Sequence, residues 1–179
     1  MPARPEDLFA RLDALGIATA THDHPPLFTV EDNKRLRGDL PGGHCKNLFL
    51  KDKRGELFLA VVLEDRRIDL KWLSKRTGAR NLSFAKAELL EAVLGVTPGA
   101  VTPFAAINDT EGRVRILLDQ AMLARAPLNY HPLTNDRTTA IEPTDLVRFL
   151  EATGHRPEIV DFDAPYPEGG AGPAPASTG

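Results

Sequence analysis

The segment Gly42-Gly-His-Cys-Lys-Asn-Leu-Phe-Leu-Lys-Asp-Lys-Arg-Gly-Glu-Leu-Phe-Leu-Ala-Val-Val-Leu63 decides the fold class. From His44 to Leu50 it reads as a strand, Asp52-Lys-Arg-Gly55 supplies turn residues, and Glu56 to Leu63 reads as a second strand. Together they predict an antiparallel hairpin with a four-residue connection. Leu57 to Leu63 is apolar at every position, so both of its faces should be covered and the strand should be central.

Helical spacing appears on either side of the hairpin. Leu8, Leu12 and Leu15 recur after Pro5 and stop at Gly16. Leu89, Leu90, Val93 and Leu94 form a stripe after Ser83 that ends at Gly95. Pro143 opens a third helix, with Leu146, Phe149 and Leu150 as its buried stripe and Gly154 as its stop. Further strands are expected at Arg113–Leu118, Leu128–His131, Thr138–Ile141 and Glu158–Phe162. The order predicts a mixed α/β domain with a largely antiparallel sheet rather than a regular βαβ repeat. Residues 1–163 should form that domain. Ala164 to Gly179 is mostly Pro, Gly, Ala, Ser and Thr, and predicts a mobile tail.

With 179 residues and 42% hydrophobic content, the chain can build one sizeable core. A net charge of −3 argues against a globally cationic nucleic-acid coat, so a polyanion would have to meet a local patch. The single cysteine, Cys45, excludes an intrachain disulfide and a four-cysteine zinc site. No stretch reaches the length of a membrane span and the start lacks a secretory core, which points to a cytoplasmic protein with no membrane partner. P-loop, dinucleotide, nucleophile-elbow and HExxH patterns are missing from the sequence, and no cofactor is expected.

Three features carry possible chemistry. Period-two alternation puts Lys46 on the face of Leu48 and Leu50. Its ammonium is then either a fixed charge at the edge of the core, aimed at a carbonyl, carboxylate or phosphate, or a group that snorkels to water. Cys45 beside His44 cannot form a nucleophile–base pair, because neighbours in a strand point to opposite faces, so a small buried cysteine is expected. His22 and His24 can share a strand face, but no further ligand follows at a recognised spacing and no metal is expected. The run Arg66 to Arg80 holds six cations against Asp69. If Asp69–Thr77 is helical, Lys71 and Lys75 lie one turn apart, which suits phosphate contacts or merely a solvated helix face.

The segment Gly42-Gly-His-Cys-Lys-Asn-Leu-Phe-Leu-Lys-Asp52 resembles the signature strand of the YbaK/ProX superfamily of aminoacyl-tRNA editing domains. His24-Pro-Pro-Leu-Phe-Thr-Val-Glu31, Gly95-Val-Thr-Pro-Gly-Ala-Val-Thr-Pro103 and His131-Pro-Leu-Thr-Asn-Asp-Arg-Thr-Thr139 resemble its other segments, in the same order. The likeness runs from about residue 5 to residue 162. It implies a central mixed, largely antiparallel sheet or partial barrel flanked by helices. Within the superfamily, the resemblance is to freestanding deacylases that remove alanine mischarged onto tRNA for proline. Mischarged tRNA would then be the partner, with transient contact to prolyl-tRNA synthetase and no DNA.

Under that resemblance, Lys46 anchors the substrate and stabilises developing negative charge, while Asn47, His131 or Thr29 supplies hydrogen bonds to an attacking water. The loop with Gly95, Pro98 and Gly99 would form one wall of an alanine-sized pocket. Phe28 and Val30 would form the opposite wall, unless they are plain core residues. Lys51, Lys71, Lys75, Arg76 and Arg80 would hold the acceptor stem. A deacylase for cysteine or serine, a noncatalytic tRNA- or synthetase-binding module, and a small-molecule ester or amide hydrolase remain alternatives at this point.

Overall fold

A computed structural model describes residues 1–26, 31, 35 and 40–167. Its centre is the expected hairpin: β2 (Gly43–Lys51) pairs antiparallel with β3 (Leu57–Leu63), in register from Cys45 opposite Leu63 to Lys51 opposite Leu57. Around it, β1 (Thr19–Asp23), β4 (Ser83–Phe84), β5 (Val114–Asp119), β6 (Leu128–Tyr130), β7 (Arg137–Ile141) and β8 (Glu158–Val160) complete an eight-stranded sheet. The path runs β1-β7-β6-β2-β3-β5-β8, with β4 added to β2. Four of the pairings are antiparallel, and three, β2/β6, β3/β5 and β5/β8, are parallel. The sheet is therefore mixed. β3, flanked on both sides, is central as its unbroken apolar run requires.

Among the described residues, four α-helices lie where the sequence pattern places them. These are α1 (Pro5–Ala14), α2 (Leu70–Thr77), α3 (Ala87–Leu94) and α4 (Pro143–Ala152). Local chemistry sets the ends of α2: the Asp69 carboxylate accepts from the backbone N–H groups of Lys71 and Trp72, and Gly78 stops the helix in the left-handed region at φ 80°. Lys75 and Arg76 complete its last turn, where cations suit the helix dipole.

Each face of the sheet has its own core. One face of β2 and β3, through Phe49, Leu57, Leu59 and Val61, packs with Leu8 and Leu12 of α1, Leu90 and Leu94 of α3, and Leu146, Phe149 and Leu150 of α4. Phe104 meets Tyr130 and Phe149 there in near-perpendicular ring contacts at 5.9 and 5.5 Å. The opposite face, through Leu50, Phe58 and Ala60, packs with Trp72 and Leu73 of α2 and with Val160. Chain beyond the expected domain end continues to pack on this face: Trp72 Nε1 donates to the Pro165 carbonyl and Lys75 lies 5.0 Å from the Tyr166 ring. Residues 168–179 lie outside the described residues.

Candidate active site

The two cores assign the side chains of β2. Cys45 and Phe49 belong to the first core, so alternation puts Asn47 there as well, whereas Leu48 and Leu50 belong to the second and bring Lys46 with them. Along the second face, burial falls from Leu50, fully enclosed, to a half-buried Leu48 and a half-buried Lys46. Lys46 makes no hydrogen bond or ion pair among the described residues, so its charge stays available.

The backbone of β2 is unevenly covered. The His44 carbonyl accepts from Glu64 on the β3 side, and the Phe49 carbonyl accepts from Ala85 on the other. Antiparallel alternation therefore turns the backbone groups of Asn47 to the edge away from β3. On that edge β6 pairs only with Gly43 and His44, and β4 only with Leu50 and Lys51. No described strand covers the interval between them. The Asn47 Oδ1 is buried and has no hydrogen-bond partner among the described residues. A cavity of about 450 Å³, lined in part by Gly42, His44, Leu63, Glu64 and Arg125, opens beside the first residues of the strand.

Glycines bring β6 to this point. A Cβ on Gly42, which has φ 104°, would run into the Pro127 carbonyl, and one on Gly43 would sit 3.0 Å from Leu128 Cδ2. That close approach sets Gly43 against Leu128 and His44 against Asn129, where the paired register ends, and His131 follows directly after the last residue of β6. His131 is half-buried, with Nδ1 2.9 Å from the Arg137 carbonyl. A carbonyl cannot donate, so Nδ1 carries the proton, and in the neutral ring Nε2 keeps a lone pair. Burial pulls the His131 pKa below its ordinary value. His24 is 6.2 Å away, ring to ring; its Nδ1 donates to the Pro25 carbonyl and its Nε2 lies 2.8 Å from the Thr138 hydroxyl. Both His24 nitrogens are thus engaged, while His22 is exposed on β1 opposite Thr138.

The other expected site residues divide. A Cβ on Gly99 would come 3.5 Å from Asn135 Nδ2, so the loop with the exposed Pro98 and Gly99 adjoins the segment after His131. Gly95 instead caps α3 at φ 65° and faces Asn108 and Pro2. Phe28, Thr29 and Val30 lie outside the described residues. Cys45 is a packed thiol 3.7 Å from the Tyr130 hydroxyl, and burial pushes its pKa up to about 12, which suppresses thiolate chemistry.

Of the basic run, Lys71 and Arg80 are exposed, and Lys75 and Arg76 are half-buried, the Arg76 Nε without a hydrogen-bond partner among the described residues. Lys51 is half-buried at the end of β2. The run is less available than its composition indicates, because Arg66 is bonded at 2.8 Å to the buried Asp119 and by two bonds to Asp163. Sequence reasoning missed Asp52 beyond its place in a turn. Its buried carboxylate accepts from the backbone N–H groups of Arg54, Glu56 and Arg80. Burial alone would raise its pKa, but those three donors outweigh burial and lower it. The signal was an Asp followed three residues later by Gly55, a side chain suited to gather turn amides.

Residues 24–149 match the family model for the aminoacyl-tRNA editing domain. A zebrafish (Danio rerio) protein named prolyl-tRNA synthetase associated domain-containing protein 1 is 44% identical over 154 residues, covering 85% of this chain and 84% of its own. The prolyl-tRNA editing protein ProX of Acetoanaerobium sticklandii is 34% identical over 156 residues, covering 87% and 95%. A solved structure described as a candidate trans-editing enzyme for prolyl tRNA synthetase superposes with a TM-score of 0.68 at 20% identity, over 90% of this chain and 98% of that one. At that identity the superposition shows a shared fold.

Proposed function

The chain belongs to the aminoacyl-tRNA editing domain family, and from that premise we propose that it is a trans-editing deacylase that hydrolyses alanine from mischarged tRNA for proline. The observation that carries the reading is Lys46: a half-buried ammonium with no hydrogen-bond or ion-pair partner among the described residues, at the point where no described strand covers β2. A charge in that position can bind an aminoacyl ester and stabilise the oxyanion that forms when water attacks its carbonyl. The Asn47 backbone N–H, turned to the same open edge, supplies a second donor. The neutral His131 offers Nε2 as a hydrogen-bond acceptor for the water. No covalent enzyme intermediate is needed, and the packed Cys45 takes no part.

The choice of alanine rests on selection limits. A synthetic site made for proline cannot fully reject a smaller side chain, since a missing methylene changes binding by only about 1–3 kcal/mol. A second pocket that admits alanine and excludes proline supplies the missing discrimination. Pro98 and Gly99 are its proposed wall, with Gly95 setting the loop's departure from α3; Phe28 and Val30, outside the described residues, are proposed for the opposite wall, and Thr29, also outside them, for a hydrogen bond to the water. Names of the relatives support tRNA for proline as the carrier, and transient contact with prolyl-tRNA synthetase fits the same reading. Lys51, Lys71, Lys75, Arg76 and Arg80 would meet phosphates of the acceptor stem.

Single-turnover deacylation of alanyl-tRNA for proline, beside cognate prolyl-tRNA, tests the proposal. Rapid loss of alanine with proline spared is expected. Preferential hydrolysis of cysteinyl or seryl esters would overturn the choice of amino acid, and no hydrolysis of any charged tRNA would overturn the enzyme.

A further inference from the structure

Phe84 is 62% exposed, and among the described residues no other large apolar side chain in a helix or strand is more than half exposed. Its position is tightly determined. Phe84 pairs with Leu50 across β4 and β2, which puts its ring on the face of Leu48 and Lys46. The next residue, Ala85, packs into the opposite core and donates its N–H to the Phe49 carbonyl. Upstream, Leu82 N–H donates to the Ser74 hydroxyl, Arg80 N–H to the Asp52 carboxylate, and Lys53 N–H to the Arg80 carbonyl. A segment fastened at four points therefore keeps an aromatic ring in water. Exposed cations flank it, Arg80 four residues before and Lys86 two residues after. Four steps along β2 separate Leu50, the strand partner of Phe84, from Lys46, about 13 Å along the strand.

Resting on the deacylase reading, we propose that Phe84 is a stacking platform for an unpaired base at the 3′ end of the acceptor strand, with Arg80 and Lys86 meeting the neighbouring phosphates. Aromatic rings beside cations hold single-stranded nucleic acid in this way, the ring taking the base and the charges taking the backbone. The shared face explains the placement: the aminoacyl ester reaches Lys46 while a base further in rests on Phe84, so the ring positions the acceptor end and leaves the bond-breaking step to other groups.

Two acceptor-stem microhelices test this, one with an unpaired 3′ tail carrying 2-aminopurine and one blunt, both uncharged. Wild-type protein should bind the tailed form more tightly. Phe84→Ala should weaken binding of the tailed form about tenfold and leave the blunt form unchanged, while Phe84→Tyr should keep the wild-type preference. Equal binding of both forms by wild type, no effect of Phe84→Ala, or an equal loss on both forms would overturn the platform. Deacylation is scored separately. A platform confirmed by the microhelices in a protein that hydrolyses no charged tRNA sinks the enzyme reading alone, and an active enzyme indifferent to Phe84→Ala sinks the platform alone.

Discussion

The two faces of β2 have the same backbone and opposite fates. On one, Cys45 and Phe49 are absorbed into a core closed by α1, α3 and α4; on the other, Leu50 is covered by α2 but the row opens through Leu48 to Lys46. A strand of period two can hold a domain together with its odd residues and present chemistry with its even ones. The rigid face fixes where the open face points.

If that division holds, substitutions on the two faces fail differently. The largest effect should come from Phe49→Ala, which empties a buried site and should cost about 3–5 kcal/mol of stability in a denaturant melt. Leu48→Ala, at a half-buried site, should cost well under half as much. Equal losses would break the comparison. Lys46→Ala comes next: turnover should fall on the order of 10²–10³-fold in single-turnover assays with the melting temperature within about 2 °C of wild type. Lys46→Arg should recover little, because a planar guanidinium does not replace a compact ammonium. A folded Lys46→Ala protein with near-normal turnover would leave the open face without its principal residue.

Much of this arrangement was legible beforehand, because it depends on local pattern. The apolar run Leu57–Leu63 gave a central strand, the leucine stripes gave α1, α3 and α4, and alternation alone put Lys46 beside Leu48 and Leu50. The same alternation also separates Lys46 from Asn47, so a site using both must take the backbone of one of them. What escaped the sequence depends on contacts between distant segments. Arg66 counts as a free cation until Asp119 and Asp163 are seen beside it, and Asp52 looks like a turn residue until Arg80 arrives from 28 positions away. β4, only two residues long, has no periodicity to detect. The approach of β6 to the start of β2 follows from Gly42 and Gly43 admitting Pro127 and Leu128, which no local rule announces.

His131 sharpens the comparison by pH. Its pKa is lowered by burial, so the unfolded chain takes up this proton before the folded one as pH falls. Its contribution to stability should be complete above about pH 6.5, decline through the interval down to the lowered folded value, and then level off. Melts of wild type and His131→Gln across that interval should converge toward low pH. If His131 also accepts a hydrogen bond from the attacking water, the rate should fall on the acid side of the lowered pKa, and His131→Gln should flatten that limb while lowering turnover about 10–100-fold. A variant with an unchanged acid limb would leave His131 as a shaping residue for the turn at Pro132.

The smallest effect tests how far the open face extends. Lys71 is exposed and Lys75 half-buried on α2, which covers the inner end of the Lys46 row, whereas Arg66, in the same basic run, is bound to Asp119. If both lysines meet phosphates of a paired stem, Lys71→Ala with Lys75→Ala should lower the salt slope of tRNA binding by about 1.8, at roughly 0.9 for each phosphate contact. Arg66→Met should change stability and leave that slope alone, since its charge is already spent inside the protein. Binding titrations at several salt concentrations separate the two. A slope unmoved by the double lysine variant would confine the RNA-facing surface to the uncovered end of β2 and the neighbouring Arg80–Lys86 segment, and would make α2 a structural cover for Leu50 and Phe58.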